Sequence, residues 1–116
     1  MIREKVRLRE IAYARSGDKG RNANVGVIAY TEEGYRFLED QLKAEVVQAF
    51  FETIGVEETV RYELPNLGAL NFLLKGALGE GGSRSLRIDA QGKALGQALL
   101  QLELMIPEDI LCKCRP

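Results

Sequence analysis

The run RSGDKGRNAN, residues 15–24, decides how this chain is organised. It separates two strand-like stretches, residues 6–14 and 25–30, and this arrangement predicts two antiparallel strands joined by a polar connection. The run contains two glycines, two asparagines, three cations and one carboxylate, which is more than a chain reversal requires. Glycines let successive backbone N–H groups face one concavity, and the cations add positive charge. The run therefore predicts an anion-binding site, with a solvated hairpin loop as the alternative.

The length and charge of the chain restrict its class. Residues 1–116 are expected to form a single domain, with residues 107–116 as a C-terminal tail. The 16 Lys and Arg residues nearly balance the 17 Asp and Glu residues, which argues against nucleic acid or an anionic membrane as the partner. No apolar run approaches the roughly 20 residues that span a bilayer, and the charged N-terminal segment does not resemble a signal peptide. These features predict a soluble, cytoplasmic protein.

Two absences restrict the chemistry. The chain has no histidine, which excludes Ser–His–Asp and Cys–His nucleophile pairs within one chain. Proton transfer would then fall to Asp, Glu, Lys or Tyr side chains. The two cysteines, Cys112 and Cys114, stand in the sequence CKC, which is not the spacing of a zinc-binding CxxC pair. We therefore expect two reduced thiols in a frayed tail, with no metal and no cofactor. The alternative is a symmetric dimer that brings four thiolates together.

The apolar residues predict strands and helices by their period. Residues 6–14 alternate as a strand, with a bulge at Arg9 and Glu10 where the alternation slips by one. Thr31 is expected to cap a helical segment that Gly55 ends. The steps of three and four residues in this segment predict either one long helix or two helices that meet near Leu42.

The second half of the chain changes period in the same way. Residues 58–64 alternate as a strand with one wet face, and Pro65 begins a turn. Residues 69–78 are predicted as a short helix and residues 85–88 as a short strand, with a glycine loop between them. A last helix follows and ends at Pro107. Its apolar stripe is Leu95, Leu99, Leu102 and Ile106.

Strands mixed with helices predict an α+β fold. The leading arrangement is a ferredoxin-like two-layer sandwich, a small sheet with helices on one face. The name describes the topology, because two cysteines cannot hold an iron–sulfur cluster.

Two longer stretches carry a family resemblance. They are ARSGDKGRNANVGVIAY at residues 14–30 and YELPNLGALNFLLKGALGEGGSRSLRIDAQGK at residues 62–93. Taken in their order, from about Leu8 to Ile106, these motifs resemble the AtuA-like ferredoxin-fold domain. That domain occurs at the C-terminus of proteins of the acyclic terpene utilisation A type and also as a free-standing protein. The resemblance implies a small subunit or domain that works with a larger partner, in a family linked to the breakdown of acyclic terpenoid acyl-CoA compounds.

The first group of candidate site residues lies in the run 15–24. Asp18 and Lys19 are candidate catalytic groups, a carboxylate and a cation, or else an ion pair that holds the loop. The side-chain amides of Asn22 and Asn24 suit an oxyanion, or else an Asx turn. The ligand-binding residues expected here are Arg15, Ser16, Gly17, Gly20, Asn22 and Asn24.

The second group lies ahead of the last helix. Gly81, Gly82 and Ser83 offer donors to a phosphate, but no Walker-type or GxGxxG frame surrounds them. Asp89 is the third candidate catalytic group, or else a helix cap. Lys93 stands where a helix N-terminus favours an anion. A shared site requires a sheet order that brings both groups to one edge.

Two predictions concern other polar and aromatic residues. Asn71 is expected inside the short helix, where a buried amide needs a hydrogen-bond partner, and Asn66 is expected in a turn. The aromatic residues expected in the core or in a subunit interface are Tyr35, Phe50, Phe51, Tyr62 and Phe72.

Three functions remain open on the sequence. The leading one is an accessory subunit that assembles with a larger AtuA-type catalytic protein and helps bind an anionic acyl-CoA or carboxylate metabolite. The second is a self-sufficient homo-oligomeric hydratase or lyase, in which Asp18 or Asp89 is the base and Lys19 or Lys93 stabilises an enolate. The third is a purely structural assembly module. Self-association is expected in each, because one sheet face stays uncovered.

Overall fold

Two antiparallel sheets and four helices make up the described part of the computed structural model, which covers residues 2–19, 22–52, 55–76 and 93–116. The strands are β1 (Arg3–Arg7), β2 (Ala12–Lys19), β3 (Asn22–Ala29), β4 (Glu58–Leu64), β5 (Ala69–Lys75) and β6 (Glu103–Pro107). The helices are α1 (Glu32–Gln41), α2 (Ala44–Phe50), α3 (Lys93–Leu99) and α4 (Glu108–Cys114). One sheet has the order β2-β3-β5-β4, and the other pairs β1 with β6.

The four-stranded sheet has one covered face and one open face, because successive side chains of a strand point to opposite sides. Helices pack against the covered face, and the open face has no described element above it. The covered face contains Ala14, Ser16, Ala23, Val25, Val27, Thr59, Arg61, Leu70, Phe72 and Leu74. The open face contains Tyr13, Arg15, Gly17, Asn24, Gly26, Ile28, Val60, Tyr62, Leu64, Ala69, Asn71 and Leu73.

Specific contacts fix each helix on the covered face. The Arg61 guanidinium donates to the carbonyls of Glu39 (2.8 Å) and Leu42 (3.1 Å), where α1 ends. The hydroxyl of Thr59 donates to the side chain of Gln48 in α2, at 2.6 Å. The two bonds from Arg61 satisfy backbone carbonyls that the end of α1 leaves without an intrahelical partner.

The glycine of α3 allows this helix to approach β2 closely. A Cβ on Gly96 would lie 3.0 Å from the hydroxyl oxygen of Ser16, so any larger residue would push α3 away from the sheet. The Gly96 N–H donates to that same oxygen at 3.3 Å.

The structure confirms the α+β class, with helices on one face of a small sheet. It also confirms the antiparallel pair of β2 and β3. The hydroxyl of Thr31 accepts from the Gly34 N–H at 3.0 Å, which is the predicted cap of α1. The helical segment divides at Leu42 into α1 and α2, so the alternative of two helices that meet near Leu42 is confirmed and the single long helix is wrong.

The first predicted strand is wrong in one respect, because it is two strands in different sheets. The strand β1 ends at Arg7, a single turn of 3₁₀ helix follows at Leu8–Glu10, and β2 begins at Ala12. The Arg7 N–H donates to the Glu10 carboxylate at 3.2 Å, which closes that turn. The slip in alternation therefore marks a change of sheet rather than a bulge.

The predicted helix over residues 69–78 is also wrong, since β5 is a central strand that pairs with both β3 and β4. Leu70 and Leu74 satisfy a helical spacing of four and a strand spacing of two equally well. Phe72 lies between them and is fully buried on the same face, which only the strand spacing explains. Asn71 consequently lies in a strand and not in a helix.

The last predicted helix and the predicted tail both differ from the structure. The helix α3 ends at Leu99, and Leu104 and Ile106 are buried on alternate positions of β6. Residues 108–114 form α4, whose Leu111 and Cys114 are buried. The Thr31 hydroxyl donates to the Lys113 carbonyl at 2.8 Å, so α4 is fixed to the start of α1.

Candidate functional site

The described residues of the run 15–24 belong to the ends of two strands. The strand β2 continues to Lys19 and β3 begins at Asn22, so the strand alternation separates the predicted site residues onto two faces. Arg15, Gly17 and Asn24 lie on the open face, whereas Ser16 lies on the covered face against α3. Of these four, Ser16 therefore cannot meet a ligand above the open face, whereas the other three can.

Asn22 has a structural contact at the end of β3. Its side-chain oxygen accepts from the Gly76 N–H at 2.9 Å. Gly76 has a φ of +79°, which is the left-handed region that favours glycine. The side-chain oxygen of Asn22 thus holds the turn that follows β5.

Several predicted site residues lie outside the described residues. Asp18 and Lys19 are placed in β2 and Lys93 begins α3, but their side chains are not described. The others outside the described residues are Gly20, Gly81, Gly82, Ser83 and Asp89, with the predicted strand at 85–88 and the cap at Asp89 or Gln91. The shared site of the two groups consequently stays a prediction.

A groove of about 400 Å³ crosses the open face. Its lining joins one cation and two amides to a row of apolar and aromatic side chains. The lining residues are Tyr13, Arg15, Asn24, Gly26, Ile28, Leu64, Leu67, Ala69, Leu70 and Asn71. Because this lining contains a cation and no carboxylate, its chemistry suits an anion. Its volume lies within the range of small-molecule sites, roughly 300–1,000 Å³.

The polar end of the groove is rich in hydrogen-bond donors. The side-chain N–H of Asn24 donates to the side-chain oxygen of Asn71 at 3.3 Å. Asn71 uses its side-chain oxygen in this bond, and its side-chain N–H groups donate to none of the described residues. Arg15 is exposed and makes no ion pair with any described residue. A cation and an amide donor are thus both available to an anionic group above the sheet.

Two glycines leave space above this part of the open face, because they have no side chain. A Cβ on Gly26 would lie 3.7 Å from the side-chain oxygen of Asn71 and 3.8 Å from the carbonyl of Arg15, both ordinary van der Waals distances. A Cβ on Gly17 would lie 3.4 Å from the side-chain oxygen of Asn24. Larger side chains at these positions would occupy the groove without straining the backbone.

The apolar end of the groove contains residues that the sequence did not indicate as site residues. Tyr13 and Leu64 are 41% and 40% exposed, and Leu67 is 69% exposed. The rings of Tyr13 and Tyr30 lie 5.6 Å apart. The register places Tyr13, Ile28, Ala69 and Leu64 in one row across the four strands. Only the strand order brings them together. Ala69 was expected in a helix, and the alternation in residues 58–64 put Leu64 on the apolar face opposite the charged one, whereas the structure exposes Leu64 and covers Arg61.

A second groove, of about 460 Å³, lies between α2 and β4. Its charged lining residues are all carboxylates, namely Glu45, Glu52, Glu57 and Glu58. Such a lining repels an anion. The charges of the open-face groove therefore suit an anion better than those of this slightly larger one, and the anion site itself stays a prediction.

The two cysteines differ in environment. Cys112 is exposed and donates to the Asp109 carbonyl at 3.1 Å. Cys114 is buried, and burial raises the pKa of its thiol. The expected frayed tail is wrong, because residues 108–114 form α4, and both thiols are free. Four thiolates in a dimer would require α4 to leave its packing site. Within the described ranges, no group of three His, Cys, Asp or Glu side chains is arranged to hold a metal ion.

No helix in the described part of the chain is both long enough and apolar enough to cross a membrane.

Comparison with known proteins identifies one family. No curated protein and no solved structure matches the chain significantly. The family profile described as the AtuA ferredoxin-like domain matches residues 6–105. This range contains β2, β3, β4 and β5 completely, together with the last two residues of β1 and the first three of β6, and it contains every residue that lines the open-face groove. The chain therefore belongs to the AtuA ferredoxin-like domain family.

Proposed function

We propose that this chain is an accessory domain or subunit that assembles with a larger AtuA-type catalytic protein. In that assembly, the open-face groove binds the anionic end of a carboxylate or acyl-CoA metabolite. The observation that carries the proposal is the groove itself, where Arg15 and the amide of Asn71 offer donors beside an apolar row. Family membership supports the accessory role.

The chemistry of the groove matches an amphipathic anion. A carboxylate oxygen, or a phosphate oxygen of CoA, at the polar end would accept from the Arg15 guanidinium and from the amide of Asn71. The apolar row that begins at Tyr13 would contact the aliphatic part of the same ligand. In this proposal the groove residues bind the ligand and transfer no proton. The larger catalytic protein carries out the reaction.

The first experiment measures binding of octanoate and octanoyl-CoA by isothermal titration calorimetry. Arg15→Ala is expected to weaken binding by roughly 10- to 100-fold, because a hydrogen bond to a charged group contributes about 1.5–3 kcal/mol. The thermal midpoint should not change, since Arg15 is exposed. Arg36→Ala is the matched control, because Arg36 is an exposed arginine whose ion pair with Glu32 lies on α1.

A second variant fills the groove without removing a donor. Gly26→Val should abolish binding while the thermal midpoint stays equal or rises, because valine favours a strand and the space for its Cβ is open. Equal affinities of the wild type, Arg15→Ala and Gly26→Val would contradict the proposal.

Assembly is tested separately, by co-expression of the tagged chain with an AtuA-type catalytic protein. Co-purification in a fixed stoichiometry is expected, and turnover should require both chains. Turnover by the isolated chain would favour the self-sufficient hydratase or lyase instead. Co-purification without any effect of Arg15→Ala on ligand binding or turnover would favour a purely structural module.

A further inference from the structure

The outer edge of β4 has a sequence pattern that is complementary to itself. β4 is the last strand in the order β2-β3-β5-β4, so no described strand pairs with its outer edge. Its register against β5 is continuous from Glu58 to Leu64, without a bulge, and it contains no proline. Natural sheets usually protect an open edge with such devices. This edge has neither a bulge nor a proline, and its charged residues Arg61 and Glu63, a type that can also protect an edge, are of opposite sign and can pair with those of a second copy.

The pattern is symmetric about Tyr62. On one side of Tyr62 stand Arg61 and Val60, and on the other side stand Glu63 and Leu64. In an antiparallel pair of two β4 strands with Tyr62 opposite Tyr62, Arg61 lies opposite Glu63 of the second copy. Val60 then lies opposite Leu64 of the second copy. Directly opposite residues interact through their side chains, and unlike charges or apolar pairs there are favourable.

Other registers are less favourable. Directly opposed residues of two paired strands must lie on the same face of the sheet. Shifting one β4 strand by one residue against the other would oppose a covered-face residue to an open-face residue, which the pleat forbids. A two-fold axis through Arg61 places two guanidinium groups opposite each other, and an axis through Glu63 places two carboxylates opposite each other. Among the registers centred on Arg61, Tyr62 and Glu63, the one through Tyr62 opposes no like charges, and it also pairs Arg61 with Glu63 and Val60 with Leu64.

The exposure of these side chains agrees with an unoccupied contact. Tyr62 is 49% exposed and Leu64 is 40% exposed. The Glu63 side chain is 48% exposed even though it makes a 2.6 Å ion pair with Arg61. A second copy would cover the two apolar side chains and give Glu63 a second arginine partner.

We propose that two copies of this chain form a two-fold dimer through β4, with Tyr62 at the axis. The dimer is isologous, because the same strand is used by both copies. The two four-stranded sheets then join into one eight-stranded sheet. Because the axis is normal to the sheet, both open-face grooves lie on the same side of the dimer, where one partner can reach both. The dimer does not depend on ligand binding.

Cross-linking tests the position of the axis. Tyr62→Cys is made in a Cys112→Ser background, since Cys112 is the exposed native thiol, and is treated with a short bis-maleimide. A covalent dimer is expected, because opposed Cβ atoms lie about 4.5–5.5 Å apart. Leu67→Cys is the control, since Leu67 is more exposed but outside β4. A monomer from Tyr62→Cys, or equal cross-linking of both variants, would overturn the proposal.

Light scattering tests the contact without a new thiol. The wild type and Tyr62→Phe are expected at twice the mass of one chain. Tyr62→Lys, which places two like charges at the axis, should halve the mass with an unchanged circular dichroism spectrum. A monomeric wild type at all micromolar concentrations, or a dimeric Tyr62→Lys, would contradict the proposal. Arg15→Ala and Gly26→Val should remain dimeric, so this proposal and the proposed function can fail independently.

Discussion

The covered and open faces of the four-stranded sheet are built from the same strands, yet their side chains differ in burial, polarity and contacts. Phe72 and Leu74 on the covered face are fully buried. Their neighbours Asn71 and Leu73 on the open face are only partly buried. Along one strand, side chains thus alternate between the core and the face that contains the candidate site. A polar run such as residues 15–24 can therefore be strand rather than loop, because half of its positions never enter the core.

The largest expected effect is the loss of core packing in β5. Phe72→Ala should lower the free energy of unfolding by about 3–5 kcal/mol, because a buried aromatic ring is removed and a cavity remains. Leu73→Ala, one residue away on the open face, should cost less than about 1.5 kcal/mol. Urea denaturation followed by circular dichroism measures both. Equal losses would show that the open face is covered in solution, which the edge-to-edge dimer does not do and a larger partner protein would.

The second prediction concerns the exception on the covered face, Arg61, which is charged. Its side chain is only 13% exposed, and it holds the carbonyls of Glu39 and Leu42 where α1 ends. Arg61→Met should lower the free energy of unfolding by about 2–4 kcal/mol, because the Leu42 carbonyl loses its Arg61 donor and the Glu39 carbonyl keeps only the 3.4 Å contact with the Lys43 ammonium.

A matched control separates this role from the ion pair. Glu63→Gln removes the carboxylate that Arg61 contacts at 2.6 Å but leaves the helix carbonyls satisfied, so it should cost less than about 1 kcal/mol. If Glu63→Gln costs as much as Arg61→Met in chemical denaturation, the ion pair and not the helix end is what Arg61 stabilises.

The sequence predicted those parts of the fold whose period is unambiguous. Thr31, followed by acidic residues and three- and four-residue steps, identified the start of α1. The alternation in residues 58–64 identified β4. Where apolar residues are spaced by four, as in Leu70 and Leu74 or in Leu102 and Ile106, helix and strand fit equally. Pairing with β3 and β4 decides the first case, and pairing with β1 decides the second. Such long-range contacts are not local properties of the sequence.

The candidate site was predictable in its first half only. Arg15, Gly17 and Asn24 lie close together along the chain, and composition alone indicated an anion site. Asn71 and Leu67 come from the other side of β3, more than 40 residues later. They join the groove because β5 pairs with β3, so only the strand order could reveal them.

The third prediction tests the hydrogen bond on the open face. Asn24→Ala and Asn71→Ala, alone and together, form a double-mutant cycle for the 3.3 Å amide contact. The coupling free energy is expected near about 1 kcal/mol, because the pair is partly exposed to water. It should be measured by urea denaturation at neutral pH. A coupling above about 3 kcal/mol would mean that this face is far drier than the open geometry implies.

The smallest expected effect concerns the surface contact between Arg115 and Glu10, which lies on neither face of the four-stranded sheet. Arg115 donates to the Glu10 carboxylate at 3.1 Å, and this hydrogen bond, with that from the Arg7 N–H, lowers the pKa of Glu10 below 4.5. Because the folded pKa is the lower one, the contribution to stability is present at neutral pH and is lost as the pH falls through that folded pKa. Glu10→Gln should therefore lower the free energy of unfolding at pH 7 by less than about 1 kcal/mol, since both side chains are substantially exposed. The thermal midpoint should fall only slightly. The gap to the wild type should close as the pH is lowered below 4.5. A gap that persists at acid pH would mean that Glu10 acts through the shape of the 3₁₀ turn and not through its charge.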